Sequence, residues 1–322
     1  MIKVPSNRPE FAQFAKYFEE ELGPFLASNE DARQHAVMIF GLIMIGAAVL
    51  IGGILVFSPF GDRSMSLAAF MGFGALAGGM FIVNRTRNKI TDGLLQRVCS
   101  QFGFSYDRKP DAPESISVFR RLKLLPNHDR DHWEDEVRGA RHGADFTICE
   151  GLLKVEDNDD NGDRTVFHGQ LFVIDYHKEF LGETVVRRDL GMLNRLGKPG
   201  RDFQNVGIAS PKFEKVFEAW STDQVEARDL LDPLVLERFE ELDRLFKGAK
   251  LRAAFSGGKL YMALNTGDKL NMGSMFKPLA GPERVNVILE EFDLVFDLID
   301  IVLKQVDTRM DGAFSVDAVR SA

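Results

Sequence analysis

The stretch AVMIFGLIMIGAAVLIGGILVFSPF, residues 36–60, decides the architecture because it carries no charge at all. A helix rises about 1.5 Å per residue, so about 20 residues cross a hydrocarbon core of about 30 Å. This run is long enough to span, and a second uncharged run, SMSLAAFMGFGALAGGMFIVN at 64–84, also reaches. The intervening SPFGDR holds Pro59, Gly61 and two opposite charges, and reads as a tight turn at the far interface. Together they predict a transmembrane hairpin over 36–84, with spans at 36–58 and 64–84. Buried core helices of a soluble protein would not be expected as two adjacent runs of this length. A cleaved signal peptide would start earlier, be shorter, and lack the second span.

The flanking cations set the orientation. Arg85, Arg87, Lys89 and Arg97 follow the second span and Arg33 precedes the first, whereas the turn offers only Arg63. Cations are retained on the cytoplasmic side, which predicts a multi-pass protein of the bacterial inner membrane with both termini cytoplasmic. Small residues recur at four-residue spacing in both spans, Ala48 with Gly52 and Gly74 with Gly78. Such pairs let helix backbones approach closely, either within the hairpin or between subunits of a homo-oligomer. No charged residue lies inside either span, so the helices carry no sign of a proton relay or ion path.

The formal net charge of −8 argues against a general nucleic-acid binder, which needs a basic face to neutralise phosphates. It equally argues against the soluble part lying broadly on anionic lipid. The two cysteines, Cys99 and Cys149, form neither a disulfide framework nor a metal-ligand spacing, which suits a reducing compartment.

Residues 1–35 form a cytoplasmic amphipathic segment, with Phe11, Phe14, Phe18 and Leu22 at helical spacing. Glu19, Glu20 and Glu21 disfavour a membrane-surface role and favour packing on protein. Residues 85–125 read as a helical stem, interrupted by Pro110 and Pro113. The cytoplasmic domain proper spans 126–306. DFTICEGLLKVE and TVFHGQLFVIDY are rich in β-branched and aromatic residues, ETVVRRD adds a short strand, and KLRAAFSGGKLYMALN is a hairpin around Gly257-Gly258. Between them STDQVEARDLLDPLVLERFEELDRLF reads as helix, with Pro233 starting a second one. The last helix, PERVNVILEEFDLVFDLIDIVLKQ, carries a broad apolar stripe including Val285, Leu289, Phe292, Phe296 and Ile299. That stripe is expected to lie across the sheet. Residues 307–322 have little periodicity and read as a flexible tail. The predicted fold class is α+β: a transmembrane hairpin plus a mixed domain with mostly antiparallel strands and a long C-terminal helix.

Three constellations resemble chemistry and fall short of it. The run Asp157-Asn158-Asp159-Asp160-Asn161-Gly162 matches the first half of a calcium loop. Its twelfth position is His168 where a bidentate glutamate is needed, so a solvated hairpin turn is favoured. His128 and His132 have i,i+4 spacing but no evident third ligand, and read as surface polar residues. Asp175, His177 and the serines form no recognisable triad motif, and no nucleophile elbow, phosphate loop or dinucleotide fingerprint occurs. No catalytic residue, metal ligand or cofactor is therefore expected.

Several stretches together resemble the bacterial family known as domain of unknown function 3137. They are VFHGQLFVIDYHKEFLGETVV (166–186), FEAWSTDQVEARDLL (217–231) and AFSGGKLYMAL (254–264), with EDEVRGARHG (134–143) similar too. The resemblance covers roughly 131–302, and a preceding membrane anchor is common in such proteins. It implies no activity and no catalytic residue. It does imply a possible partner, a LemA-type membrane protein.

The expectation is a non-enzymatic inner-membrane protein, held in lipid by two spans, whose cytoplasmic domain binds a protein partner or assembles with itself. The alternative is a membrane-anchored enzyme or small-ligand sensor with an unrecognised site. Candidate interaction residues are Gly74 and Gly78 in the membrane, with Asp223 and Arg228 in the most distinctive stretch. Each of the last two has a plainer reading, Asp223 as a helix cap and Arg228 as one half of an internal ion pair, and these are favoured.

Overall fold

The computed structural model describes all residues except 1, 58–61, 157–161, 177–178, 189–197, 209, 247–248, 271 and 321–322. The chain divides into two compact units, Met1–Val98 with Asn271–Glu290, and Cys99–Leu270 with Glu291–Ala322.

The first unit is built on two long helices, α1 (Glu30–Phe57) and α2 (Asp62–Gln101). Both are long and apolar enough to cross a membrane. Their apolar side chains point outward: Val56 is 74% exposed and Phe70 77%. A core helix of a soluble protein would have buried these residues. The amphipathic segment before α1 is not one helix. An α-turn at Phe14–Tyr17 and a helix at Gly23–Ser28 flank a five-residue π-turn at Phe18–Leu22. The wider turn breaks the expected stripe, so Phe11, Phe14, Leu22 and Leu26 are buried while Phe18 is only half-buried. At the start of α1, Glu30 takes hydrogen bonds from the Arg33 guanidinium and from the Leu279 amide at 2.8 Å. The Arg33 guanidinium beside it holds the Glu30 carboxyl down at about 2.

The expected helical stem is helix as far as Gln101, in one piece with α2. Beyond it the chain turns at Gly103 (φ +76) into strand, and only Ile116–Arg121 returns to helix. The second unit holds a nine-stranded sheet: β1 (Ser105–Asp107), β2 (Arg130–Arg141), β3 (Ala144–Val155), β4 (Arg164–Asp175), β5 (Thr184–Arg188), β6 (Gln204–Asn205), β7 (Phe217–Ser221), β8 (Arg252–Ser256) and β9 (Lys259–Leu264). The spatial order is β1-β2-β3-β4-β9-β8-β5-β7-β6, and every pairing is antiparallel. The fold is α+β, as the alternation of apolar residues indicated. Two-residue turns close two of the hairpins. His142-Gly143 joins β2 to β3, and Gly257-Gly258 joins β8 to β9, all four residues having positive φ. This is the turn geometry that matches strand twist.

Three further helices are α3 (Gln224–Leu230), α4 (Pro233–Leu245) and α5 (Glu283–Arg320), with a short helical turn at Pro211–Glu214. One face of the sheet is covered by α4 and α5. Phe239 of α4 meets Phe217 and Phe255, and Phe296 of α5 meets Phe102 and Phe104. The opposite face packs Val185, Ala254, Tyr261, Leu171 and Leu153 under the Ile116–Arg121 helix and the loop residues Leu124, Leu125 and Phe203. The stripe on α5 is buried as expected, and the helix runs on to Arg320 through the segment read as a tail.

Two buried polar contacts hold this architecture. Asp300 of α5 takes both arms of Arg141 (2.6 and 3.0 Å) and His142 Nε2 lies 2.7 Å away, fixing the β2–β3 turn to the helix. Arg141 also stacks on the Phe296 ring. Glu150, 1% exposed in β3, accepts from the backbone amides of Lys269 and Leu270, each at 3.1 Å. Burial, and then the neighbouring Asp135 charge, outweigh those amides and push its carboxyl up to about 8.

Replacing Asp300 with alanine strands a largely buried Arg141, at a cost of roughly 3 kcal/mol. Both tryptophans of the chain, Trp133 and Trp220, lie in this unit, so denaturant unfolding followed by their fluorescence should show the loss. Glu150 generates a pH dependence. Its folded-state value is raised, so its stabilising contribution is complete below the ordinary carboxylate value and is lost as pH rises through about 8. Glu150→Gln should flatten the fall in stability between pH 5 and 9; a slope identical to that of the parent would rule this group out as its source.

Candidate functional site

Gly74 and Gly78 lie on the outer surface of the hairpin, and a Cβ built on either meets nothing within 4 Å. Contact between α1 and α2 is made instead at Gly79, where a Cβ would come 2.7 Å from the Phe40 ring, and at Gly72 beside Ile51. Gly52 is equally open, and Ala48 is exposed. A side chain at Gly52, Gly74 or Gly78 would therefore enter open space, clear of the close contacts at Gly72 and Gly79. A shallow apolar groove runs between the helices, lined by Ile43, Gly46, Ala47 and Leu50 from α1 and Phe70, Met71, Gly74 and Ala75 from α2. Gly46 is also bare. Spacing alone located the small residues but could not tell which member of Gly78-Gly79 meets α1.

The distinctive stretch around Asp223 is a hydrogen-bonded corner. Asp223 caps α3, its Oδ1 accepting from the amides of Val225 (2.9 Å) and Glu226 (3.0 Å). Thr222 Oγ1 accepts from the Glu183 amide at 2.8 Å. The Glu226 carboxylate takes the amides of Leu181 and Gly182 at 2.9 and 2.8 Å. Ser221 Oγ reaches Thr184 Oγ1 at 3.0 Å and donates to a backbone carbonyl. Each side chain occupies itself with local backbone, so the plainer reading of Asp223 fits its geometry. Arg228 differs. It is exposed and makes no hydrogen bond or ion pair among the described residues, so the expected internal ion pair is absent. It lines an open groove with Val206, Leu231, Leu236, Glu237 and Glu240 along α4, whose start is capped by Asp232.

The remaining sequence candidates are not brought together. His132 lies on strand β2, and His128 lies just before it, where it meets the Pro126 carbonyl and Arg120. They do not share a helical turn. No group of three His, Cys, Asp or Glu able to hold a metal occurs among the described residues. Asp175 pairs with Lys259 at 2.6 Å. The calcium-like run at 157–161 and His177 lie outside the described residues. Cys99 and Cys149 are buried, and desolvation pushes both thiols up to about 12. A tight void of about 20 Å³ between α4, α5 and the sheet, bounded by Phe239, Phe255 and Met262, holds no more than a water.

The sequence reading missed the buried charges. Asp135 sits at a bulge in β2 with φ +52, takes the Tyr106 hydroxyl at 2.5 Å, and is pushed by burial up to about 6. Arg187 of β5 is 2% exposed and stands opposite Arg252 of β8. The available signal was a charge set among apolar neighbours on a strand that alternates, as in ICEGLL and VVRR.

No curated protein matches this chain. Among solved structures, the crystal structure of the mycobacterial trehalose monomycolate transport factor A, TtfA, aligns with 66% of this chain and 94% of its own. The sequence identity is 12% and the TM-score 0.32, a level of likeness that carries neither fold nor function across. A family match covers part of the chain. It takes in three of the four stretches that resembled a family, those at 166–186, 217–231 and 254–264, and leaves out 134–143. Residues 165–304, from β4 into α5, match the family described as protein of unknown function, DUF3137.

Proposed function

We propose that this chain is a membrane-anchored, non-enzymatic assembly protein. Its hairpin holds it in the bacterial inner membrane and associates with further copies, and its cytoplasmic α+β domain docks a partner protein. The observation that carries the reading is the outward, unoccupied glycine surface of the hairpin. In lipid there is no hydrophobic drive between helices, so association rests on close van der Waals packing, which bare glycine backbone permits. Gly74 and Gly78 spend no packing within the chain, and they sit on helices whose apolar side chains face outward. The cation distribution around the spans supports cytoplasmic termini. Arg228, without an ion pair among the described residues at the edge of a partly apolar groove, has the form of a docking contact, since arginine is favoured at such surfaces. The family resemblance makes a LemA-type membrane protein the first partner to seek.

Gly74→Leu with Gly78→Leu should convert a defined oligomer into monomer on gentle extraction, read by mass. The hairpin should keep its helicity, because the new side chains enter open space. Gly79→Leu should instead perturb the hairpin itself by colliding with Phe40. An unchanged oligomer in the double variant would refute intramembrane association. Arg228→Glu should lower co-purified partner at least threefold without moving the thermal midpoint; equal recovery would remove Arg228 from the interface.

A further inference from the structure

A second surface of the sheet domain has the chemistry of an anion site, and it is independent of the assembly reading. A polar groove of about 1140 Å³ is lined by Arg120, Lys123, Arg164 and Lys250 against two carboxylates, Asp129 and Asp131. Both carboxylates are engaged. Asp131 pairs with Arg120 at 3.0 Å, and Asp129 accepts the Glu156 amide at 2.9 Å. Lys123, Arg164 and Lys250 make no ion pair among the described residues. Lys123 and Lys250 also hold backbones with φ +53 and +50, which non-glycine residues rarely adopt. Lys123 Nζ donates to the Lys198 carbonyl at 2.6 Å, and in a chain of net charge −8 these cations without an ion pair among the described residues form a local concentration.

Behind one wall of the groove stand two more cations. Arg252 lies two residues beyond Lys250 and donates from Nη1 to the Leu124 carbonyl at 2.9 Å, between the groove residues Lys123 and Leu125. Arg187 is its cross-strand neighbour. One arm of Arg187 reaches Glu218 at 2.9 Å, but its Nε and Nη1 are buried without a hydrogen-bond partner among the described residues. Trp220, two residues beyond Glu218 on the same face of β7, also has a buried indole N–H without a partner among the described residues. Burial, and then the charge of Arg187, lower Arg252 to about 10. Arg187 is paired with the Glu218 carboxylate, whereas Arg252 has no carboxylate partner among the described residues, so the two guanidiniums together keep a net positive charge.

We propose that this groove binds a phosphate-bearing anion, with Lys123, Arg164 and Lys250 at its mouth and the Arg187–Arg252 pair supplying charge from behind. A phosphate group offers several acceptor oxygens and up to two charges. That suits a site of separate ammonium and guanidinium donors better than chloride or a single carboxylate does. Two sources carry such a group, a soluble phosphate compound and a lipid headgroup of the phosphatidic acid type, and the test separates them.

The test uses the full chain in neutral detergent, titrated with inorganic phosphate at constant ionic strength and read by calorimetry. Saturable binding is expected, weakened at least tenfold in Arg164→Gln/Lys250→Asn, where asparagine tolerates the positive φ. Arg187→Met should weaken it several-fold while leaving the groove mouth intact. In parallel, the chain is reconstituted in phosphatidylcholine vesicles with and without phosphatidic acid. A rise in thermal midpoint with phosphatidic acid, absent in the double variant, identifies the headgroup as the source if inorganic phosphate fails to bind. Binding of inorganic phosphate without that rise identifies a soluble phosphate. No saturable response in either arm, or equal responses in parent and double variant, overturns the proposal.

Discussion

Antiparallel registration of three twelve-residue strands, β2, β3 and β4, is the constraint on which the sheet domain depends. Side chains alternate between faces except at the shifts between Glu134 and Val137 and between Leu153 and Lys154, so between those shifts one register decides inside and outside positions together. The tight His142-Gly143 turn sets that register at one end, and Asp300 secures the same turn to α5. The consequence reaches to the far side of the sheet. Phe146 and Ile148 are turned toward the helices and Cys149 and Leu153 toward the opposite core. The same alternation leaves Glu150 buried with Gln170 as its cross-strand partner.

Much of this was legible in the residues. Uncharged runs gave the two long helices, the Gly257-Gly258 pair gave the β8–β9 hairpin, and the periodicity of Val285 to Leu303 gave the buried face of α5. Asp223 and Pro233 marked helix starts correctly because capping is a local matter, decided within four residues. Strand order was not legible. β5 enters between β8 and β7, a long-range choice that no local pattern records. Nor was the π-turn at Phe18–Leu22, since an apolar spacing of four looks the same in a regular helix.

The candidate site was legible to different depths. Sequence located the small residues of the spans, but the direction they face depends on how α1 and α2 pack, with Gly79 rather than Gly78 under Phe40. For Asp223 the capping pattern sufficed. For Arg228 it did not, because an ion pair needs a partner in space and the acidic side chains along α4 do not supply one. Arg187 and Arg252 are far apart in the chain and meet only through β5–β8 pairing, so their joint burial has no one-dimensional trace.

The two native thiols have a practical bearing on how the molecule can be interrogated. Buried and held far from ionisation, Cys99 and Cys149 give the folded chain a silent background toward maleimides and disulfide reagents. A single cysteine placed at the hairpin turn, at Arg228 or beside Lys250 would then report alone. One set of such probes, applied to intact cells, could map sidedness, neighbour distance and ligand protection without first removing any native residue.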